Sequence, residues 1–185
     1  MNLLFIGDSI TQGWMDDGRR VWDIYYGRRS AVNLGFNKDC TEHVLWRLTH
    51  GEIQGIAPRL IVLMIGTNNT GIRQDSPQST AEGVQTILAT LRAALPDSKI
   101  LLLAIFPRGA LADHLLRRLN AAINDRIKAY ADNRHIFFLD IGRSFLDAQG
   151  SLSRDLMPDE LHPNERGYQV WAEGMEKRVN TLLEQ

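Results

Sequence analysis

Three residues of this sequence have the types and surroundings needed to cut an ester. Ser9 lies in Gly7-Asp8-Ser9, just after the apolar run Leu3-Leu4-Phe5-Ile6, while Asp159 and His162 lie near the other end of the chain. A serine hydroxyl is a weak nucleophile until a neighbouring imidazole takes its proton, and that imidazole needs a third group to hold its tautomer. The stretch Pro158-Asp159-Glu160-Leu161-His162-Pro163 supplies imidazole and carboxylate from one short loop, stiffened by its prolines. The chemistry this predicts is acyl transfer. Ser9 attacks a carbonyl carbon, His162 takes and returns the proton, and Asp159 orients His162 while staying ionised. Asp8 is expected to orient the loop through hydrogen bonds rather than to react.

The other four histidines fit the part less well. His43 and His50 fall in or near a helix whose apolar face is Val44, Leu45 and Leu48, which suits surface or packing roles. His114 sits at a polar helix start, and His135 precedes a strand. Only His162 follows a carboxylate by three residues in a loop bracketed by prolines.

Groups this far apart in sequence can meet only if the fold gathers them. Short apolar runs at 3–6, 31–34, 60–65, 100–105 and 136–139 predict buried strands. Between them lie helical patterns. Val84, Ile87, Leu88, Leu91 and Leu95 share one face, which ends before Pro96 because the residue preceding a proline is pushed out of the helical region. Leu115, Leu119, Ala122, Ile123, Ile127 and Tyr130 form a second stripe. A last helix begins near Asn164, a good N-cap, and turns Tyr168, Trp171, Met175, Val179 and Leu182 inward.

Continuous apolar strands alternating with helices predict an α/β fold. The expectation is a flavodoxin-like three-layer sandwich, with about five parallel strands and helices on both faces, in a single domain over 1–185. Such sheets bind ligands at the carboxyl ends of their strands. Ser9, Gly35 and Asn68 each follow a strand closely, so one rim collects all three. The final helix would anchor the Asp159–His162 loop at that rim.

Composition narrows the alternatives. At 185 residues and 44% hydrophobic content the chain can build a sizeable core, and a net charge of −1 leaves no electrostatic footprint for nucleic acid or an anionic membrane. One cysteine, Cys40, excludes an internal disulfide and a cysteine-rich zinc site, and it reads as a small packed or partly exposed side chain rather than a reactive thiol. No histidine pair has metal-ligand spacing, so no metal is expected. Neither a Gly-x-Gly-x-x-Gly turn nor a P-loop is present, so no nucleotide cofactor is expected either. No apolar run is long enough to span a bilayer, and the chain opens directly into a strand, so membrane insertion is not expected and a cytoplasmic location is.

Further motifs occur in order between Ser9 and His162: Asn33-Leu34-Gly35, Asp39 followed by His43-Val44-Leu45-Trp46-Arg47-Leu48, His50-Gly51-Glu52, Gly66-Thr67-Asn68-Asn69 and Phe106-Pro107-Arg108-Gly109. With Gly7-Asp8-Ser9 and Asp159-Glu160-Leu161-His162 they resemble the SGNH, or GDSL, esterase superfamily across nearly the whole chain. The nearest resemblance is to the catalytic subunits of platelet-activating-factor acetylhydrolase and their bacterial relatives.

The resemblance implies a cofactor-free serine esterase whose oxyanion is held by the Ser9 N–H, the Asn68 side-chain amide and a backbone N–H after the second strand. The family usually has glycine at that third position. This chain reads Asn37-Lys38-Asp39, which puts Lys38 there, with Gly35 as the fallback donor. Left-handed backbone at Lys38 would cost about 1–2 kcal/mol. Asn68 could instead be a turn asparagine bonding its own backbone, although Asn69 could do that job and leave Asn68 for substrate.

The implied partner is a small-molecule acyl ester, most simply an O-acetyl ester of a sugar or metabolite. A lysophospholipid-type ester and a thioester are alternatives. Trp14 is placed at the pocket entrance, and a homodimer is possible because the relatives dimerise. The rival from another class is a non-catalytic flavodoxin-like binding module.

Overall fold

The computed structural model describes residues 1–184, and each of the five apolar runs is a strand in it. Strand β1 (Leu3–Gly7) leads through the short helix α1 (Ser9–Gln12) and α2 (Arg19–Tyr25) to β2 (Ala31–Gly35). Helix α3 (Thr41–Thr49) precedes β3 (Leu60–Met64), and α4 (Thr67–Gly71) with α5 (Pro77–Ala94) precedes β4 (Lys99–Leu103). Helix α6 (Leu115–Ile127) precedes β5 (Ile136–Leu139), and α7 (Glu165–Glu184) follows it.

All strand pairs are parallel, in the order β2-β1-β3-β4-β5. The chain leaves β1 for β2 on one side and then crosses to β3 on the other. That reversal opens a crevice outside the carboxyl ends of β1 and β3, where ligands of such sheets bind.

The pleat sends alternate residues to opposite faces. Leu3, Phe5, Val62 and Met64 pack with Val21 and Trp22 of α2 and with Trp171, Met175 and Val179 of α7. Leu4, Ile6, Ile61 and Leu63 pack with Val44 and Leu48 of α3, Val84, Ile87 and Leu91 of α5, and Ile123 and Ile127 of α6. Both faces are covered, which is why the strands read as unbroken apolar runs rather than alternating ones. Each fully buried side chain of this kind is worth about 1.5–3 kcal/mol.

Two expectations fail here for physical reasons. Trp14 does not line an entrance: it is 0% exposed and packs among Phe5, Trp22, Tyr26, Tyr168 and Trp171. The turn after α1 swings it under α7, where Gly13 leaves room for the Tyr168 ring; a Cβ on Gly13 would stand 2.1 Å from the Tyr168 hydroxyl.

Nor does the expected apolar stripe hold along the whole of α6: Ile123 and Ile127 are buried as expected, but the first turns depart from it. Leu115 is 58% exposed, and Arg117, Asn120, Ile123 and Ile127 point inward. The asparagines have a job there. Asn124 accepts from the Ile105 N–H at 2.8 Å and donates to the Ile105 carbonyl at 2.9 Å, replacing the strand partner Ile105 lacks. Strand β4 therefore ends at Leu103 rather than at Ile105.

Candidate active site

Asp8 begins the site. It follows β1 and accepts from the Ile10 N–H at 3.0 Å, capping α1 and fixing the turn that presents Ser9. Ser9 is the first residue of α1, so its own N–H lies outside the helix ladder. Asp8 is buried, which pushes its carboxyl up to about 7; the Ile10 hydrogen bond and His162 pull the other way without overcoming the burial.

The Asp159–His162 loop reaches the same rim. Ser9 Oγ lies 2.9 Å from His162 Nε2, and His162 Nδ1 lies 2.6 Å from Asp159 Oδ2. An ionised carboxylate can only accept, so the Nδ1 proton faces Asp159 and Nε2 is left as the acceptor for the Ser9 hydroxyl. The other oxygen, Asp159 Oδ1, accepts from the backbone N–H groups of Leu161 at 3.0 Å and His162 at 2.7 Å. Burial raises the Asp159 carboxyl, but the hydrogen bonds from His162 and the two backbone donors outweigh it and hold it below its ordinary value. Asp159 is therefore ionised at neutral pH.

Asn164 secures the loop to α7, accepting from the Gly167 N–H at 3.0 Å and donating to the Asp155 carbonyl at 3.0 Å. Tyr168 then donates to the Ile10 carbonyl at 2.7 Å, tying α7 to the helix that carries Ser9.

Asp132 stands three residues before His135, the same spacing as Asp159 and His162. Its Oδ1 is spent on the backbone N–H groups of Arg134, His135 and Ile136. His135 Nδ1 lies 3.4 Å from Arg92 Nη2 rather than against the carboxylate, so spacing alone does not separate the two.

The strand ends supply the remaining donors. Gly66, in left-handed backbone (φ +130°), turns the chain from β3 into α4 and sets Asn68 in the crevice. Asn68 donates from Nδ2 to the Asp39 carbonyl at 3.0 Å. Asn69 is spent elsewhere: its oxygen accepts from the Thr41 N–H at 3.0 Å, and its nitrogen donates to Thr41 Oγ1 and Asp75, each at 3.0 Å. Asn69 is therefore not the expected turn asparagine bonding its own backbone: it joins α4 to α3 and to Asp75, while Asn68 spends one N–H on Asp39.

After β2 the chain makes a tight turn in which the Asp39 N–H donates to the Phe36 carbonyl at 3.2 Å. Lys38, its third residue, has φ +65°, the conformation that normally calls for glycine. The lysine has thus kept the backbone shape of a glycine turn, and its side chain is exposed. Gly35 is committed instead: its N–H donates to Asn33 Oδ1 at 2.7 Å. Asn33 also donates to the Thr11 carbonyl at 2.8 Å, binding the end of β2 to α1. Arg47 fixes the turn by a paired bond to Asp39, 3.0 and 3.4 Å, and stacks on Phe36. Asn33, Asp39 and Arg47 stood in quoted motifs, but nothing in their spacing revealed these bonds.

Among the described residues one cluster brings possible metal ligands together, Cys40, Glu42 and His43 at the start of α3. His43 Nδ1 accepts from the Cys40 N–H at 2.9 Å as a helix cap, and Glu42 pairs with Arg73. Two of its three possible ligand groups are thereby engaged.

Residues 5–170 match the GDSL-like Lipase/Acylhydrolase family. The chain is 32% identical over 185 residues to subunit alpha2 of platelet-activating factor acetylhydrolase IB from Rattus norvegicus, covering 100% of this chain and 78% of that one. It is 30% identical over 184 residues to the alpha1 subunit from Homo sapiens, covering 99% and 77%. An acetylxylan esterase from Geobacillus stearothermophilus, 19% identical, shares the fold with a TM-score of 0.78 over 96% of this chain and 93% of the other.

Proposed function

The chain belongs to the GDSL-like lipase/acylhydrolase family, within the SGNH superfamily, and is a carboxylic-ester hydrolase; on that premise we propose that it cleaves short-chain, chiefly O-acetyl, esters through an acyl-Ser9 intermediate. The observation that carries this reading is the unbroken relay from Ser9 Oγ to His162 to Asp159, at 2.9 and 2.6 Å.

Ser9 Oγ bonds to the acyl carbon as its proton passes to His162 Nε2. The C–O bond to the alcohol breaks as that proton moves on to the leaving oxygen. Water then attacks the acyl carbon, giving a proton to His162, and the acid leaves as Ser9 recovers it. The Ser9 and Lys38 N–H groups and the Asn68 amide hold the oxyanion at both stages. Three features support Lys38 over Gly35: its place in the turn, its glycine-like φ and the prior engagement of the Gly35 N–H.

The acyl group is the finer part of the proposal. The two relatives are named as acetylhydrolases, and the His162 and Asp159 side chains are 41% and 55% exposed at the rim. A panel of 4-nitrophenyl esters of graded acyl length, run on the wild type and on Ser9→Ala, tests it. Acetyl and propionyl esters should give higher kcat/KM than octanoyl. A steady rise towards long chains would replace this reading with a lysophospholipase-like one.

A further inference from the structure

Arg108 lies in Phe106-Pro107-Arg108-Gly109, a motif that the relay and the oxyanion donors leave without a task. Its half-buried guanidinium donates from Nη1 to the Thr67 carbonyl at 3.1 Å and to the Thr67 hydroxyl at 3.3 Å. Thr67 opens α4 and immediately precedes Asn68. From the far side, Asn120 donates to the same hydroxyl at 3.2 Å, while its own oxygen accepts from Thr70 at 3.0 Å. Residues Thr67, Asn68, Asn69, Thr70 and Asn120 are all at most 5% exposed. In so dry a setting, a lost link leaves a polar group unsatisfied and the turn free to shift.

A second observation shows that the guanidinium has a built seat. Gly71 is helical, with no positive φ to require glycine, yet a Cβ there would stand 2.2 Å from Arg108 Nη1 and 3.0 Å from Cζ. The glycine leaves room for Arg108. The next residue, Gly109, donates to the Glu160 carbonyl at 2.9 Å, so one short segment joins the Asn68 turn to the loop of Asp159 and His162.

We propose that Arg108 is a positioning residue for the oxyanion hole: seated over Gly71, it locks the first turn of α4 through Thr67 and holds the Asn68 amide at the angle the transition state needs. The inference rests on the reading of Asn68 as an oxyanion donor. Arg108 also supplies a cation whose field reaches Asp8 and Asp159, which oppose the downward pull of burial on its guanidinium.

A double-mutant cycle tests this with 4-nitrophenyl acetate. Arg108→Gln should lower kcat on the order of 10–100-fold with KM nearly unchanged, since misplacing a reacting group by about 1 Å costs up to about 10²-fold. In an Asn68→Ala background the same change should cost less than about threefold, because the group it positions is already gone. Gly71→Ala, whose Cβ displaces the guanidinium, should reproduce the loss and add little to Arg108→Gln. It carries the test if Arg108→Gln folds poorly.

A loss that persists in full in the Asn68→Ala background would overturn the proposal. So would a raised KM with kcat intact, which would make Arg108 a substrate-binding group. If Asn68→Ala itself keeps wild-type kcat, the oxyanion reading fails first and this inference with it.

Discussion

The Asn68 side-chain amide donates to the backbone carbonyl of Asp39 at 3.0 Å, joining the turn after β3 to the turn after β2. One N–H of the amide is thereby fixed and the plane of the group is set. The second N–H stays available to a developing oxyanion. The two turns that supply the proposed donors are thus held to each other before substrate arrives, which is what electrostatic preorganisation requires.

Asn68→Ala deletes that donor while leaving the relay intact. Its kcat should fall on the order of 10²–10³-fold, with a much smaller change in KM. Asn68→Asp should be worse, because a carboxylate would face both the Asp39 carbonyl and the oxyanion. Steady-state kinetics on the acetyl ester decide this, and an Asn68→Ala enzyme within threefold of wild type would remove Asn68 from the hole.

Lys38 makes the opposite prediction. Its backbone N–H is the proposed donor and its side chain is exposed, so Lys38→Ala should keep most of kcat. Lys38→Gly relieves a left-handed backbone worth about 1–2 kcal/mol, less the roughly 0.5–1 kcal/mol by which glycine favours the unfolded chain. A small rise in Tm with unchanged kcat is the expected result. If Lys38→Ala falls as far as Asn68→Ala, the ammonium itself is taking part.

Asp8 links stability to pH. Its carboxyl is raised from 3.8 to about 7 by burial, so the folded chain holds this proton more tightly than the unfolded one. Asp8 therefore stabilises the fold below its unfolded value and loses that contribution as pH rises from 3.8 through about 7. The whole window is worth on the order of 4 kcal/mol. Asp8→Asn keeps an oxygen to cap Ile10 but removes the ionisation. The drop in Tm between pH 5 and pH 8 should shrink by several degrees in Asp8→Asn. An identical drop in both proteins would show that Asp8 ionises freely in the fold.

Much of this was legible in the sequence. The five strands announce themselves because a parallel sheet covered on both faces needs apolar residues at every position, so no alternation obscures them. Ser9 and Asn68 follow such runs closely, Asp159 and His162 lie in a proline-bracketed loop before the last helix, and the structure brings the loop to the rim that carries Ser9. The stiff proline-bracketed loop and the Asn164 cap explain how residues 153 positions apart come within 2.9 Å.

What could not be read were bonds between a side chain and a distant backbone atom. Asn124 closing the end of β4, Asn33 reaching the Thr11 carbonyl, and Arg108 reaching Thr67 leave no periodic trace. Trp14 was misplaced for a related reason: proximity to Ser9 in sequence says nothing about which way a tight turn throws a side chain.

The central claim is an acyl-enzyme on Ser9, and intact-protein mass spectrometry after treatment with a fluorophosphonate tests it most directly. One adduct per chain should form, map to Ser9, and abolish ester hydrolysis. Ser9→Ala should form none and lose on the order of 10⁴-fold or more in kcat, with His162→Ala similar and the double variant barely worse, because the relay acts as a unit. An unlabelled Ser9, or a Ser9→Ala enzyme that keeps wild-type turnover, would contradict the account.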